Sequence, residues 1–143
     1  MTARLSTHDL SSALRVAVAR LSRRLRAEKE DDELSDSQTA ALGYLVREGS
    51  ATIGRLSEYE RVTPPSMNRT VNRLQEAGYV ERTADVGDGR KVVVVPTQRG
   101  VDLVAETRRR RDAWLHQRLR TISPEERATL AEAARIIREL ADS

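Results

Sequence analysis

The chain has 143 residues, 33% of them charged, with a net charge of +3 and no cysteine. That length suits one domain of ordinary size, and the missing thiols exclude disulfides, thiolate metal sites and a thiol redox switch. No apolar run approaches the roughly 20 residues of a membrane span and no signal-peptide core opens the chain, so a cytoplasmic protein with no membrane partner is expected.

Residues His8 to Lys29 place Leu10, Leu14, Ala17, Val18, Leu21 and Leu25 at helical spacing. They predict one long amphipathic helix with an arginine-rich outer face, and the mainly acidic run Glu28 to Glu33 is expected to end it. Ser35-Asp36-Ser37-Gln38 has the form of a capping box. It opens a helix with Ala41, Leu42, Leu45 and Val46 inward, stopping near Gly49. Thr52 begins a short helix holding Ile53 and Leu56.

Thr63-Pro64-Pro65 marks a third start, since Thr63 can cap the helix and proline suits its first turn. This helix is expected to run to about Ala77, with Gly78 as its stop. Met67, Val71 and Leu74 share one side, while Pro65, Asn68, Arg69, Asn72 and Arg73 share the other. Short capped helices in succession, the last displaying Asn and Arg, have the sequence form of a helix-turn-helix with its recognition helix.

After Gly78 the period changes. Tyr79 to Thr83 reads as a strand and Lys91 to Val95 as its β-branched partner, with a turn-rich tip, Asp85 to Arg90, between them. Pro96 is expected to end the second strand and Thr97 to cap the next helix, which runs to about Thr121 with Val101, Val104, Trp114, Leu115 and Leu119 as apolar members. Ser123-Pro124-Glu125-Glu126 starts a last helix carrying Leu130, Ala133, Ala134, Ile137 and Leu140.

The fold class expected is mainly α: a winged helix-turn-helix, with a two-stranded hairpin as the wing, flanked by N- and C-terminal helices. Over nearly its whole length the chain resembles the multiple antibiotic resistance regulator (MarR) family. The residues that carry the resemblance are Pro64 to Arg69, Leu74 to Arg82, then Asp88-Gly89-Arg90 and Thr97. One departure is Pro96, where the family usually has Leu, a change expected only to end the strand early. The resemblance implies a homodimer built from the terminal helices. Residues 1–32 then form an N-terminal dimerisation helix, 33–97 the DNA-binding domain and 98–143 the C-terminal dimerisation helices. Independently, those helices carry apolar stripes too long for the DNA unit to cover, which places Leu10, Leu14, Leu115, Leu119, Ile137 and Leu140 in the dimer interface. Packing within one chain is the alternative.

Double-stranded DNA with a palindromic operator is the partner expected of such a dimer. Arg69 and Arg73 suit guanine edges or phosphates, and Asn68 and Asn72 suit adenine or a backbone oxygen. Thr63, Pro65 and Ser66 lie at the helix start, where Ser66 and the free N–H groups suit a phosphate. Arg90 at the hairpin tip suits a narrow minor groove, Asp88 orients it or braces the turn, and Lys91 suits a phosphate. The resemblance also implies a small phenolic or aromatic-acid ligand. His8, Arg15, Tyr44 and Trp114 are the candidates to line its site, though each also fits a plain core or surface role.

An enzyme is not expected, because His8 and His116 are distant in sequence and no phosphate-binding glycine loop occurs. Two histidines without nearby carboxylate spacing argue against a metal, and no cofactor is expected. The aromatics are three Tyr and one Trp, too few for a single-strand stacking platform. The sequence therefore describes a transcription regulator, expected to be a repressor. Its rival is a sequence-neutral architectural protein that coats or bends DNA through the same fold.

Overall fold

The computed structural model describes residues 4–28 and 34–143, so most of the acidic run expected to end the first helix lies outside the described residues. In chain order the described elements are α1 (Thr7–Arg26), α2 (Asp36–Glu48), α3 (Ile53–Glu60), α4 (Pro64–Glu76), β1 (Val80–Ala84), β2 (Val92–Pro96), α5 (Gln98–Leu119) and α6 (Pro124–Ala141). They fall into two compact units: Lys29–Arg109, and Met1–Glu28 together with Arg110–Ser143.

In the first unit the expected caps form. The Ser35 hydroxyl accepts the Gln38 N–H at 3.2 Å, while the Gln38 side-chain oxygen accepts the Ser35 N–H at 3.1 Å. Two donors that the helix start would leave unpaired are thereby satisfied. Thr52 and Thr63 cap α3 and α4 by a single bond each, their hydroxyls accepting the N–H groups of Arg55 and Ser66. The joint between α3 and α4 is made by Arg61, a non-glycine residue in the left-handed conformation at φ 56°. Its neighbour Val62 donates to the Ser57 carbonyl at 3.0 Å, which closes the end of α3.

Leu42, Leu45, Leu56, Met67, Val71 and Leu74 from α2, α3 and α4 meet Val80 and Val94 of the hairpin in a common core. Gly78, at φ +82°, turns the chain from α4 into β1. The strands pair antiparallel with Val80 opposite Pro96 and Ala84 opposite Val92. Pro96 is thus the last residue of β2, and the strand runs to the proline instead of stopping short of it. Ala51 adds a one-residue bridge to the other edge of β2 by exchanging backbone bonds with Val94 at 3.1 and 2.7 Å.

Thr97 ties the corner where α4, β1 and α5 meet. Its hydroxyl donates to the Gly78 carbonyl at 2.6 Å and accepts the Gly100 N–H at 3.2 Å, and its own N–H donates to the Tyr79 carbonyl at 3.0 Å. Gly100 is buried there, and a Cβ at that position would lie 2.2 Å from the Tyr79 carbonyl oxygen. Val104, one turn further on, is buried in the same core.

In the second unit the Ser123–Glu126 capping box starts α6 behind Pro124. Arg127 closes the turn from α5 by donating to the Leu119 and Ile122 carbonyls at 3.0 and 2.7 Å. The guanidiniums of Arg24 and Arg118 lie over the Trp114 ring, at 4.9 and 3.7 Å from its centroid. Among the described residues, neither α1 nor α6 has a fully buried side chain. Leu10 and Leu140 are 52% and 59% exposed within the single chain. Leu14, Leu115, Leu119 and Ile137 are half-buried.

Candidate nucleic-acid interface

The amphipathic split of α4 is the origin of the candidate site. Met67, Val71 and Leu74 are sealed in the core, which obliges the other side of the helix to face outward. Thr63, Pro65, Asn68, Arg69, Asn72 and Arg73 are exposed on it, and Ser66 is half-buried near its start. Among the described residues neither Arg69 nor Arg73 forms an ion pair. Their charges are thus available to a polyanion without first breaking a bond.

The wing supplies a second cationic group. Arg90 and Lys91 are exposed at the far end of the hairpin. The Asp88 carboxylate accepts the backbone N–H of Arg90 at 3.1 Å, and the Asp88 carbonyl accepts the N–H of Lys91 at 3.0 Å. Of the two tasks that sequence reading gave Asp88, this geometry performs the bracing of the turn. It fixes the backbone from which the Arg90 side chain departs.

Sequence reasoning overlooked Arg82 and Gln75. From β1, Arg82 donates one guanidinium N–H to the side-chain oxygen of Gln75 and another, at 3.4 Å, to that of Asn68. Recognition helix and wing are therefore bonded by side chains as well as by backbone. A signal was present: Arg82 lies two residues from the buried Val80, and side chains two apart on a strand share a face.

The four ligand candidates divide between the units. Tyr44 is buried in the first, its ring 4.5 Å from that of Tyr59 and its hydroxyl accepting from Arg55 at 3.3 Å. Arg47 donates to the Tyr59 hydroxyl at 3.0 Å and lies over both rings. Close by in sequence, burial pushes the Glu60 carboxyl above the usual carboxylate range, with Arg47 pulling the other way. In the second unit His8 and Arg15 are exposed, and Trp114 is half-buried and in contact with Arg24 and Arg118.

A capped helix-turn-helix with an unneutralised Asn and Arg face, followed at once by a hairpin with cations at its tip, defines a winged helix-turn-helix DNA-binding protein. Residues 33–91 match the MarR family, and an uncharacterized HTH-type transcriptional regulator of Mycobacterium leprae is 44% identical over 133 residues, 93% of each chain. This chain belongs to the MarR family of transcriptional regulators. A MarR family protein from Bacillus stearothermophilus has the same fold with a TM-score of 0.84 at 24% identity, over 95% of each chain. Streptococcus pneumoniae FabT, solved in complex with DNA, has it with a TM-score of 0.77 at 18% identity, over 94% of this chain and 98% of that one. Among the described residues no helix is long and apolar enough to cross a membrane.

Proposed function

We propose that the chain is a cytoplasmic homodimeric repressor that occupies a palindromic operator, with α4 in the major groove and the wing at the adjacent minor groove. The observation that carries this reading is the outward face of α4, where Asn68, Arg69, Asn72 and Arg73 are all exposed and both arginines lack ion-pair partners among the described residues. Asn68 and Asn72 address base edges, Arg69 and Arg73 address guanine or phosphate, and the helix start with Thr63, Pro65 and Ser66 faces the backbone. Arg90 enters the minor groove from a turn held by Asp88, and Lys91 holds a phosphate.

The exposed apolar residues of α1 and α6 support assembly with a second copy. Leu10, Val18, Leu21, Leu130, Ile136 and Leu140 are each more than 40% exposed in the single chain. A two-fold partner covers the same patch on both copies and sets two recognition helices about one turn of DNA apart. Release by a small phenolic or aromatic-acid effector is the regulatory arm of the proposal and rests on the family resemblance.

Selection of bound sequences from a random duplex pool tests the whole reading. The expected result is a two-fold symmetric site, preferred over random duplex by about a thousandfold or more at fixed salt. Enrichment of no sequence, with near-equal affinity for all duplexes, would favour the architectural alternative.

A further inference from the structure

We propose that Arg82 is a specificity-positioning residue: by holding the amide oxygens of Asn68 and Gln75 against the wing, it turns their NH2 groups outward and makes this part of α4 a donor surface. This inference rests on the proposal that α4 reads the major groove. Asn68 and Gln75 are two turns apart on one face of α4, and Arg82 reaches both from β1. A guanidinium has five N–H donors and no acceptor, so only the oxygen end of each amide can face it. The amide is planar with oxygen and nitrogen on different sides of the same carbon. Anchoring the oxygen therefore dictates where the nitrogen points.

The consequence is a choice among bases. Asparagine reads adenine by a bidentate pair, its oxygen accepting from N6 while its nitrogen donates to N7. The oxygen keeps a second lone pair, but turned toward Arg82 it cannot lie beside the nitrogen against one base edge, so Asn68 offers chiefly its donor, which matches guanine O6 or N7 or thymine O4. Asn72 is exposed on the same helix and no side-chain bond to it occurs among the described residues, so it keeps the full adenine pattern. The two asparagines then read different bases although their chemistry is the same.

Arg82→Lys is the test, since lysine keeps the charge but cannot span two amides with a planar fork. Asn68→Ala first identifies, by relaxed preference in a random-pool selection, the base pair that Asn68 reads. The wild type is expected to select guanine or thymine there. Arg82→Lys is expected to reduce that preference relative to adenine by about tenfold, while affinity for random duplex and its salt dependence stay unchanged. In an Asn68→Ala background, Arg82→Lys should cause no further change at that base pair. Adenine in the wild-type site, or an unchanged site in Arg82→Lys, overturns the proposal. The side-chain NH2 resonances of Asn68 and Gln75 in the DNA-free protein provide an independent reading. They should shift in Arg82→Lys, and unshifted resonances overturn the bridge itself. A wild type that selects no sequence defeats the operator reading and the base preference with it, while the resonances still decide whether the bridge exists.

Discussion

Asp88 gives the most discriminating perturbation, because two physical effects of its removal have opposite signs. Asp88→Ala deletes a negative charge near DNA phosphates. At about 8 Å in water that charge costs roughly 0.5 kcal/mol, and salt reduces it further. The same change deletes the bond at 3.1 Å from the Arg90 N–H to the carboxylate. An exposed bond of this kind is worth about 1 kcal/mol, here in ordering the turn that launches Arg90. The difference favours loss, by roughly 0.5 kcal/mol per wing and about fivefold for a dimer with two wings. Asp88→Asn separates the effects, since its amide oxygen still accepts the Arg90 N–H while the charge is gone. Fluorescence anisotropy on the selected operator, at low and moderate salt, should find Asp88→Ala weaker and Asp88→Asn as tight as the wild type or tighter. Asp88→Ala should lower Tm by no more than a few degrees, as the loss of one exposed bond allows, and Asp88→Asn should leave it unchanged. Tighter binding by Asp88→Ala, or identical behaviour of the two variants, would refute the bracing argument.

Arg69→Ala and Arg73→Ala should each cost about 1–3 kcal/mol on the selected site and relax preference at particular base pairs, whereas Lys91→Ala should weaken all duplexes alike and lower the salt slope by about one for each wing bound; binding titrations across salt tell a reading helix from a backbone clamp. Gly100→Ala drives a Cβ to 2.2 Å from the Tyr79 carbonyl, so calorimetry should show a destabilisation of about 1–3 kcal/mol or more; an unchanged Tm would mean that the corner yields freely. Leu10→Asp with Leu140→Asp should give monomers by sedimentation that bind the operator far more weakly. These positions test assembly more cleanly than Leu14 and Ile137, which are half-buried within their own chain. Glu60 is held above the usual carboxylate range chiefly by burial, so its ionised form is penalised in the folded state. That penalty is complete above the folded-state pKa and absent once both states are protonated. Glu60→Gln should therefore raise Tm at pH 7, with the gain fading as pH falls through the carboxylate range, and an equal or lower Tm at pH 7 would count against it.

Four helix starts were legible because Ser35, Thr52, Thr63 and Ser123 each announce themselves by residue type and by the spacing to the group they cap, whereas the Ser6 cap of α1 went unread. The outward face of α4 was legible because three buried residues at helical spacing leave only one other side. Features made by a single residue were not. Ala51 forms one rung with Val94, and one residue has no period to detect. Arg61 adopts a left-handed conformation at the α3–α4 joint, where glycine would have been a signal and arginine is none. Gly100 reads as an unremarkable glycine in a helix, and only the approach of the Tyr79 carbonyl shows why a side chain is excluded. Arg82 lay inside a stretch that carried the family resemblance, yet its partners come from a different element. Strand parity pointed to its face, but no local pattern names what a side chain touches across elements.

Within the DNA-binding unit, the bonds around Thr97 bear on how its reading parts can move. Gly78 ends α4, Tyr79 leads into β1 and Thr97 leads into α5, and three hydrogen bonds of 2.6 to 3.2 Å join them at one corner. Arg82 adds a side-chain bridge from β1 to α4 on the exposed side. A recognition helix and wing fastened at both places cannot swing independently without losing several bonds at once, each costing about 1 kcal/mol. The start of α5 is fastened to the same corner, so a force applied along that helix reaches α4 and the wing together. Regulation of operator binding through α5 would then displace the whole reading unit as one body, altering where it meets the DNA and leaving its internal register intact. If Arg82 and Asn68 set base preference as proposed, that preference and its control would be separable, since the backbone corner around Thr97 is built from other bonds.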